Sequence, residues 1–309
     1  MINTISDISI VIPSYRSEAF IDKAIISCLQ QGVKPENIIV VEDGIYDKTG
    51  DIVNSFSNVK LFSLQENKGA PHARNIGASL IKTKYVIFLD ADDYFEGEFI
   101  TSIVTAINSS LDVDIVLAPW AIKSSKNIGG EVMTPSVLPP ISWALNWLTH
   151  EIVPCCSVVW NIDFFDSIGG WDEELKKNQD GEIANRAFVN QPRIEYSKLG
   201  NSVYWQHDSI HRVSQSNFEE RNKTAELIFS RMIDINLTYE ERVQLGRFCC
   251  KMAWFACNED ELVFREWRLK SIQLGYSHVG YNNSTRLIGI FGMKFGVLLK
   301  NVLRKFKNS

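Results

Sequence analysis

Along the first 120 residues, short apolar runs alternate with segments whose apolar residues recur at helical spacing. Ile8 to Ile12 reads as a buried strand ended by Pro13, and Glu18 to Gln30 as a helix (Ala19, Ala24, Ile25, Cys28, Leu29) closing at Gly32. Ile38 to Val41 is a strand followed by Glu42-Asp43-Gly44, and Asp51 to Phe56 a short helix. Val59 to Leu64 is a third strand, and Ala70 to Lys82 a helix with Pro71 in its first turn, where proline is tolerated. Tyr85 to Leu89, Glu98 to Asn108 and Asp114 to Ala118 continue as strand, helix, strand. Such alternation predicts an α/β fold with a mostly parallel sheet covered on both faces. The strand ends at Pro13, Asp43, Leu64 and Asp90 then open on one edge.

Beyond Lys123 the pattern changes. Lys123 to Pro140 reads as a loop, Ser142 to Leu148 as a helix, and Pro154 to Trp160 as a strand. Gly169-Gly170-Trp171-Asp172 is a turn, Asp180 to Asn190 a helix, and Ser202 to Trp205 a strand. After Asn217 the spacing is helical with no strand candidates, which divides the chain into 1–216 and 217–309.

Composition adds constraints. The chain has 309 residues, 45% hydrophobic and 22% charged, as in an ordinary globular protein with an ample core. A net charge of −5 argues against broad nucleic-acid binding, and no nucleic-acid partner is expected. Residues 286–309 carry six bases and no acid, so the preceding 285 residues hold −11. The six cysteines follow no zinc spacing and are expected as buried reduced thiols of a cytoplasmic protein. No signal peptide and no spanning apolar stretch are expected.

The most informative stretch is Phe88-Leu-Asp-Ala-Asp-Asp93. A β-prone run empties into three carboxylates at the strand end, where open α/β sheets bind their ligands. Such a cluster suits a hard divalent ion, which takes carboxylate oxygens and shares its other positions with phosphates. A solvated acidic turn capping the next helix is the alternative.

Five segments occur in the order seen in family 2 glycosyltransferases: Ser9-Ile-Val-Ile-Pro-Ser-Tyr15, Val41-Glu-Asp-Gly-Ile-Tyr-Asp47, Asn67-Lys-Gly-Ala-Pro-His-Ala-Arg-Asn-Ile-Gly77, Leu89-Asp-Ala-Asp-Asp93 and Gly169-Gly-Trp-Asp-Glu173. Residues 8–216 resemble that family, whose members are inverting, metal-dependent enzymes of the GT-A fold. The resemblance implies a nucleotide-sugar half over 1–120 and an acceptor half over 121–216. It also implies a role in bacterial O-antigen or capsule assembly.

Residue by residue, the resemblance places Asp92 on Mg²⁺ or Mn²⁺, with Asp90 as its partner on the metal or the ribose and Ala91 between them. Asp93 supports the loop. Asp43 resembles the carboxylate that accepts from the uracil ring, which implies a UDP-linked donor. Glu42 and Ile45-Tyr46 depart from the family's usual residues there. Pro13, Ser14 and Tyr15 form the opposite wall of the base pocket. Lys68 and Arg74 flank the turn into the third helix and face the diphosphate; the planar arginine fork suits phosphate. Asp180 occupies the place of the catalytic base, which takes the acceptor hydroxyl's proton. The preceding acid usual in the family is Gln179 here. His211, in His211-Arg-Val-Ser-Gln-Ser216, has the spacing of a further metal ligand and is favoured over His207.

Leu287 to Phe306 is dense in apolar residues and its charges are all basic. That is the composition of an interfacial helix on an anionic leaflet, or of a terminal helix packed on the domain. The first alternative fits a saccharide acceptor on a polyprenyl diphosphate lipid and a peripheral position on the inner face of the cytoplasmic membrane. Two other functions set the alternatives. A nucleotidyltransferase calls for a Gly-rich basic loop after the first strand, which Pro13-Ser-Tyr-Arg-Ser17 is not. A degenerate nucleotide-sugar-binding module calls for loss of Asp92 or Asp180, and both are present.

Overall fold

A computed structural model describes residues 2–45, 47–149, 153–207, 218–281 and 285. In chain order the elements begin with β1 (Ile8–Ser14), α1 (Ile21–Gln30), β2 (Ile38–Asp43), α2 (Thr49–Asn54), β3 (Lys60–Leu64), α3 (Ala70–Leu80) and β4 (Tyr85–Phe88). There follow β5 (Tyr94–Glu96), α4 (Phe99–Ser109), β6 (Ile115–Leu117), β7 (Trp120–Ser124), β8 (Val132–Met133) and α5 (Pro140–Thr149). Next come β9 (Val158–Asn161), α6 (Ile162–Ser167), α7 (Gln179–Val189), β10 (Ile194–Tyr196) and β11 (Asn201–Gln206). The last described elements are α8 (Phe218–Ile233), α9 (Tyr239–Ala256) and α10 (Glu261–Gln273). Two compact units emerge, one drawn from residues 1–140, 153–183 and 190–212, the other from 141–152, 184–189 and 213–309.

The first unit is built on a seven-stranded sheet of order β10-β6-β9-β4-β1-β2-β3. Its pairings are parallel except that β9 runs antiparallel to both β4 and β6. All residues of β1, β2 and β4 are buried, as strands covered on both faces must be. Burying each Ile or Val side chain there contributes about 1.5–3 kcal/mol. α1 packs Ile21, Ala24, Ile25 and Cys28 into this core. α3 lies so close to β1 that a Cβ on Gly77 would fall 2.2 Å from a Val11 methyl, so only glycine fits that contact. The parallel register, with Pro13 opposite Val41 and Val11 opposite Phe88, brings Ser14, Asp43 and the segment after Phe88 to one edge.

A second sheet, β5-β11-β7-β8, was not legible as such in the pattern. The expected loop over Lys123 to Pro140 begins within β7 and contains β8, a pair of short antiparallel strands. β5 and β10, three residues each, were also missed. β5 matters to the site: it follows the acidic turn directly and pairs antiparallel with β11, Val203 opposite Tyr94. That pairing carries residues 204–207 back past Asp92 and Asp93.

In the second unit α8, α9 and α10 pack around Trp267, which is fully buried and donates its indole N–H to Asn222 at 2.6 Å. Trp143 stacks on Phe188 with ring centres 5.8 Å apart. Thr238 and Glu241 form a reciprocal cap at the start of α9, and Asp260 caps α10 through the amides of Leu262 and Val263. All six cysteines are buried and none is bridged. Among the described residues, no helix is long and apolar enough to cross a membrane.

Candidate active site

At the end of β2, Asp43 is 2% exposed and holds the turn into α3. Its Oδ1 accepts from the Lys68 amide at 2.7 Å and its Oδ2 from the Gly69 amide at 2.8 Å. Each oxygen has a second lone pair, so the carboxylate retains acceptor capacity for a ring N–H. Beside this turn opens a cleft of about 470 Å³ lined by Phe62, Ser63, Leu64, Gln65, Glu66 and Lys68. Glu42 turns inward, 3% exposed, where its Oε2 accepts from Ser63 at 2.7 Å. Across the edge, Pro13 is buried, the buried Ser14 hydroxyl has no partner, and the Tyr15 ring is 46% exposed. Tyr15 is therefore available as a wall and is not core. The Lys68 ammonium projects outward, 3.7 Å from Glu66.

The three carboxylates after β4 have three different environments. Asp93 is 1% exposed. Its Oδ1 accepts from the Trp205 amide at 2.9 Å and its Oδ2 from the Cys156 thiol at 3.5 Å. Burial, reinforced by Asp90 and Asp92, pushes its pKa well above the ordinary carboxylate range. It ties the acidic turn to β11, the supporting role expected of it. Asp92 is half-buried, and its Oδ2 lies 2.9 Å from Nε2 of His207. Burial and the neighbouring Asp90 raise its pKa, while His207 opposes the shift. The imidazole of His207 is stacked on Phe20 at 5.0 Å, and its buried Nδ1 has no partner among the described residues. Asp90 accepts from Nη2 of Arg74 at 2.6 Å, and Ala91 is buried between the two outer acids.

Arg74 does not project into open solvent. It is 4% exposed, and its guanidinium lies 4.5 Å over the Trp171 ring. Burial works against its charge, but Asp90, with Cys155 and Asp180, more than restores it, so the net pKa shift is upward. Among the described residues, its Nε and Nη1 are buried with no partner. These two donors are unoccupied and next to the acidic turn.

Asp180 lies in the first turn of α7, and among the described residues its buried Oδ1 has no hydrogen bond, so that oxygen caps nothing there. Burial lifts its pKa to about 6, with Arg74 pulling down and Asp90 pushing up. A carboxylate of that pKa is mostly ionised at neutral pH and still basic enough to take a proton. The Gly169–Glu173 turn that leads to it is pinned to α3. Asn75 donates to the Trp171 carbonyl and to Glu173, each at 2.8 Å, and accepts from the Trp171 amide at 2.9 Å. His72 meets Glu173 at 2.7 Å. Gly170 has φ of +63°, and a Cβ there would meet the Asn75 Oδ1 at 2.9 Å, which accounts for glycine at that position. Asn75 was not singled out from sequence; its place beside Arg74 within the third motif was the available signal.

Asp92 and His207, hydrogen-bonded to each other, could form part of a donor set for a divalent ion. Two donors at right angles on one ion, each about 2.1 Å away, lie about 3 Å apart, which is the Asp92–His207 separation of 2.9 Å. Among the described residues, no group of three or more His, Cys, Asp or Glu side chains is gathered for a metal. One or two protein donors completed by substrate phosphates is a mode that Mg²⁺ commonly uses. His211 and the Leu287 to Phe306 segment lie outside the described residues. Among the described residues, His207, ranked below His211 from sequence, lies against Asp92.

Residues 9–156 match the family described as Glycosyl transferase family 2. An uncharacterised glycosyltransferase of Haemophilus influenzae is 37% identical over 95 residues, 29% of this chain and 38% of that protein. The Escherichia coli protein WfaP, a UDP-Glc:alpha-D-GlcNAc-diphosphoundecaprenol beta-1,3-glucosyltransferase, is 36% identical over 90 residues, 28% of this chain and 36% of its own length. The chain thus spans well under half of either relative. Among solved structures, S. aureus TarS 1–349 in complex with UDP-GlcNAc superposes with a TM-score of 0.67 at 18% identity, covering 94% of this chain and 88% of that one. At that identity the likeness establishes the shared fold.

Proposed function

We propose that this chain, whose residues 9–156 match the family described as Glycosyl transferase family 2, transfers a sugar from a UDP-linked donor to a saccharide acceptor with inversion at the anomeric carbon. The observation that carries this reading is Asp180, a carboxylate with a free buried oxygen, set electrostatically against Arg74 and Asp90 beside the acidic turn. In a single displacement the acceptor hydroxyl attacks opposite the departing diphosphate and loses its proton as the new bond forms. Asp180 takes that proton. Asp43 accepts from the uracil N–H, with Tyr15 against the ring. Arg74 offers its two unoccupied donors toward the diphosphate and fixes the Asp90 carboxylate.

Asp92, Asp90 and His207 would hold Mg²⁺ or Mn²⁺, which as a Lewis acid offsets the charge gathering on the departing diphosphate. The acceptor, by analogy with the diphosphoundecaprenol substrate in the Escherichia coli relative's name, is a saccharide on a polyprenyl diphosphate. The setting is then assembly of a bacterial surface polysaccharide at the inner face of the cytoplasmic membrane, with the basic, apolar 287–306 segment on the lipid. A panel of UDP-, GDP- and dTDP-sugars, assayed for transfer or hydrolysis with Mn²⁺, Mg²⁺ or EDTA, tests the donor and the metal. Turnover of a UDP-sugar that EDTA abolishes is the expected result. Preference for a GDP-sugar would overturn the assignment of Asp43, and full activity in EDTA that of Asp92.

A further inference from the structure

The second unit gathers three cations at one place, where Arg221 and Arg247 act on Lys251 as like charges. Arg247 and Lys251 lie one turn apart on α9, and Arg221 comes from α8. All three are half-buried. The Lys251 ammonium donates to the Leu148 carbonyl at 2.7 Å, and Arg247 Nε donates to the Tyr281 carbonyl. The Arg221 guanidinium lies 4.3 Å over the Phe255 ring. Among the described residues, no carboxylate pairs with Arg221 or Lys251. Three other sheltered cations do have acids: Lys123 sits on Glu96, Lys270 on Glu226 and Glu266, and Arg74 on Asp90.

For Arg221 and Lys251, a ring face and a carbonyl oxygen offer partial negative charge and leave the net positive charge in place. Burial, with Arg221 and Arg247 as like charges, pushes the Lys251 ammonium down to about 8. Burial also lowers Arg221, against a smaller opposing effect of Tyr281. Holding like charges together in a region partly shielded from water is unfavourable until an anion joins them. The combination of planar guanidinium forks with a compact ammonium matches an anion that has several oxygens around one centre.

We propose that Arg221, Lys251 and Arg247 form a binding site for a phosphate or diphosphate group, built from residues other than those of the carboxylate cluster at the sheet edge. The proposal rests on the geometry of the helical unit and holds whichever sugar is transferred. Such a group belongs either to a lipid headgroup or to a free phosphoanion.

Calorimetric titration of the full chain with inorganic pyrophosphate, in EDTA so that no metal recruits it to the acidic turn, tests the site. Saturable binding is expected, weakened at least about tenfold in Arg221→Gln and in Lys251→Gln, and weakened much less in the charge-conserving Arg221→Lys. Far-UV circular dichroism and ligand-free melting curves verify that the variants fold. If they do not fold, side-chain ¹⁵N spectra of the unaltered protein take their place, with the Arg221 and Arg247 Nε resonances shifting on saturation. A water-soluble short-chain polyprenyl diphosphate, titrated in parallel, separates the sources: tighter binding than pyrophosphate indicates a lipid headgroup, and equal binding a free phosphoanion. Either supports the site. Absence of saturable binding, unchanged affinity in both Gln variants, or unmoved arginine resonances would overturn it.

Discussion

Replacing Asp180 with Asn should make the protein more stable and less active, and the size of the first effect follows from its surroundings. The unfolded carboxyl titrates near 3.8, whereas burial lifts the folded one to about 6. At about 1.36 kcal/mol per pH unit, keeping the group ionised costs the fold up to about 3 kcal/mol. The sign follows from proton uptake. Between pH 3.8 and about 6 the folded state binds more protons than the unfolded one, so stability falls as pH rises through that window and levels off above it. An amide has no such titration. Urea denaturation at pH 4, 5, 6 and 7.5 should therefore show near-equal stabilities at the acid end and a gap of roughly 1–3 kcal/mol in favour of Asp180→Asn at pH 7.5. The variant's turnover should fall on the order of 10²-fold or more while UDP affinity is retained. A variant that is less stable at pH 7.5, or a gap that does not change with pH, would refute the claim that this carboxylate is buried against its own charge.

Other perturbations give separate tests. Asp92→Ala should abolish metal-dependent turnover, and near-normal kcat in saturating Mn²⁺ would contradict its assignment. Asp43→Ala should weaken UDP binding in a competition assay, and should also destabilise the chain by about 1–3 kcal/mol in chemical denaturation, because the Lys68 and Gly69 amides lose their acceptors. Asn75→Ala should lower kcat more than it raises the donor KM, since it frees the Gly170–Glu173 turn leading to Asp180. An unchanged kcat would show that the turn holds without it.

The large β and α elements of the first half were legible because their apolar runs are long and punctuated by Pro13, Gly32 and Pro71. The second sheet was not, because β5 and β8 have three and two residues and show no periodicity of their own. The site was readable at the level of which residues carry charge. Asp43, Asp90, Asp92, Asp93 and Asp180 all stand at strand or helix ends, where the parallel register collects them. What local pattern does not carry is pairing across distance. That Arg74 reaches Asp90, that Asn75 pins Trp171, and that His207 meets Asp92 all depend on how α3, β4 and β11 dock. The preference for His211 over His207 came from spacing alone, and the β5–β11 pairing is what brings His207 across.

The anomeric configuration of the product tests the central claim most directly. Given an α-linked UDP-sugar that the enzyme turns over, proton NMR of the new glycosidic linkage should show the β configuration, as one displacement with Asp180 as base requires. A product that retains the α configuration would contradict that mechanism and the role assigned to Asp180.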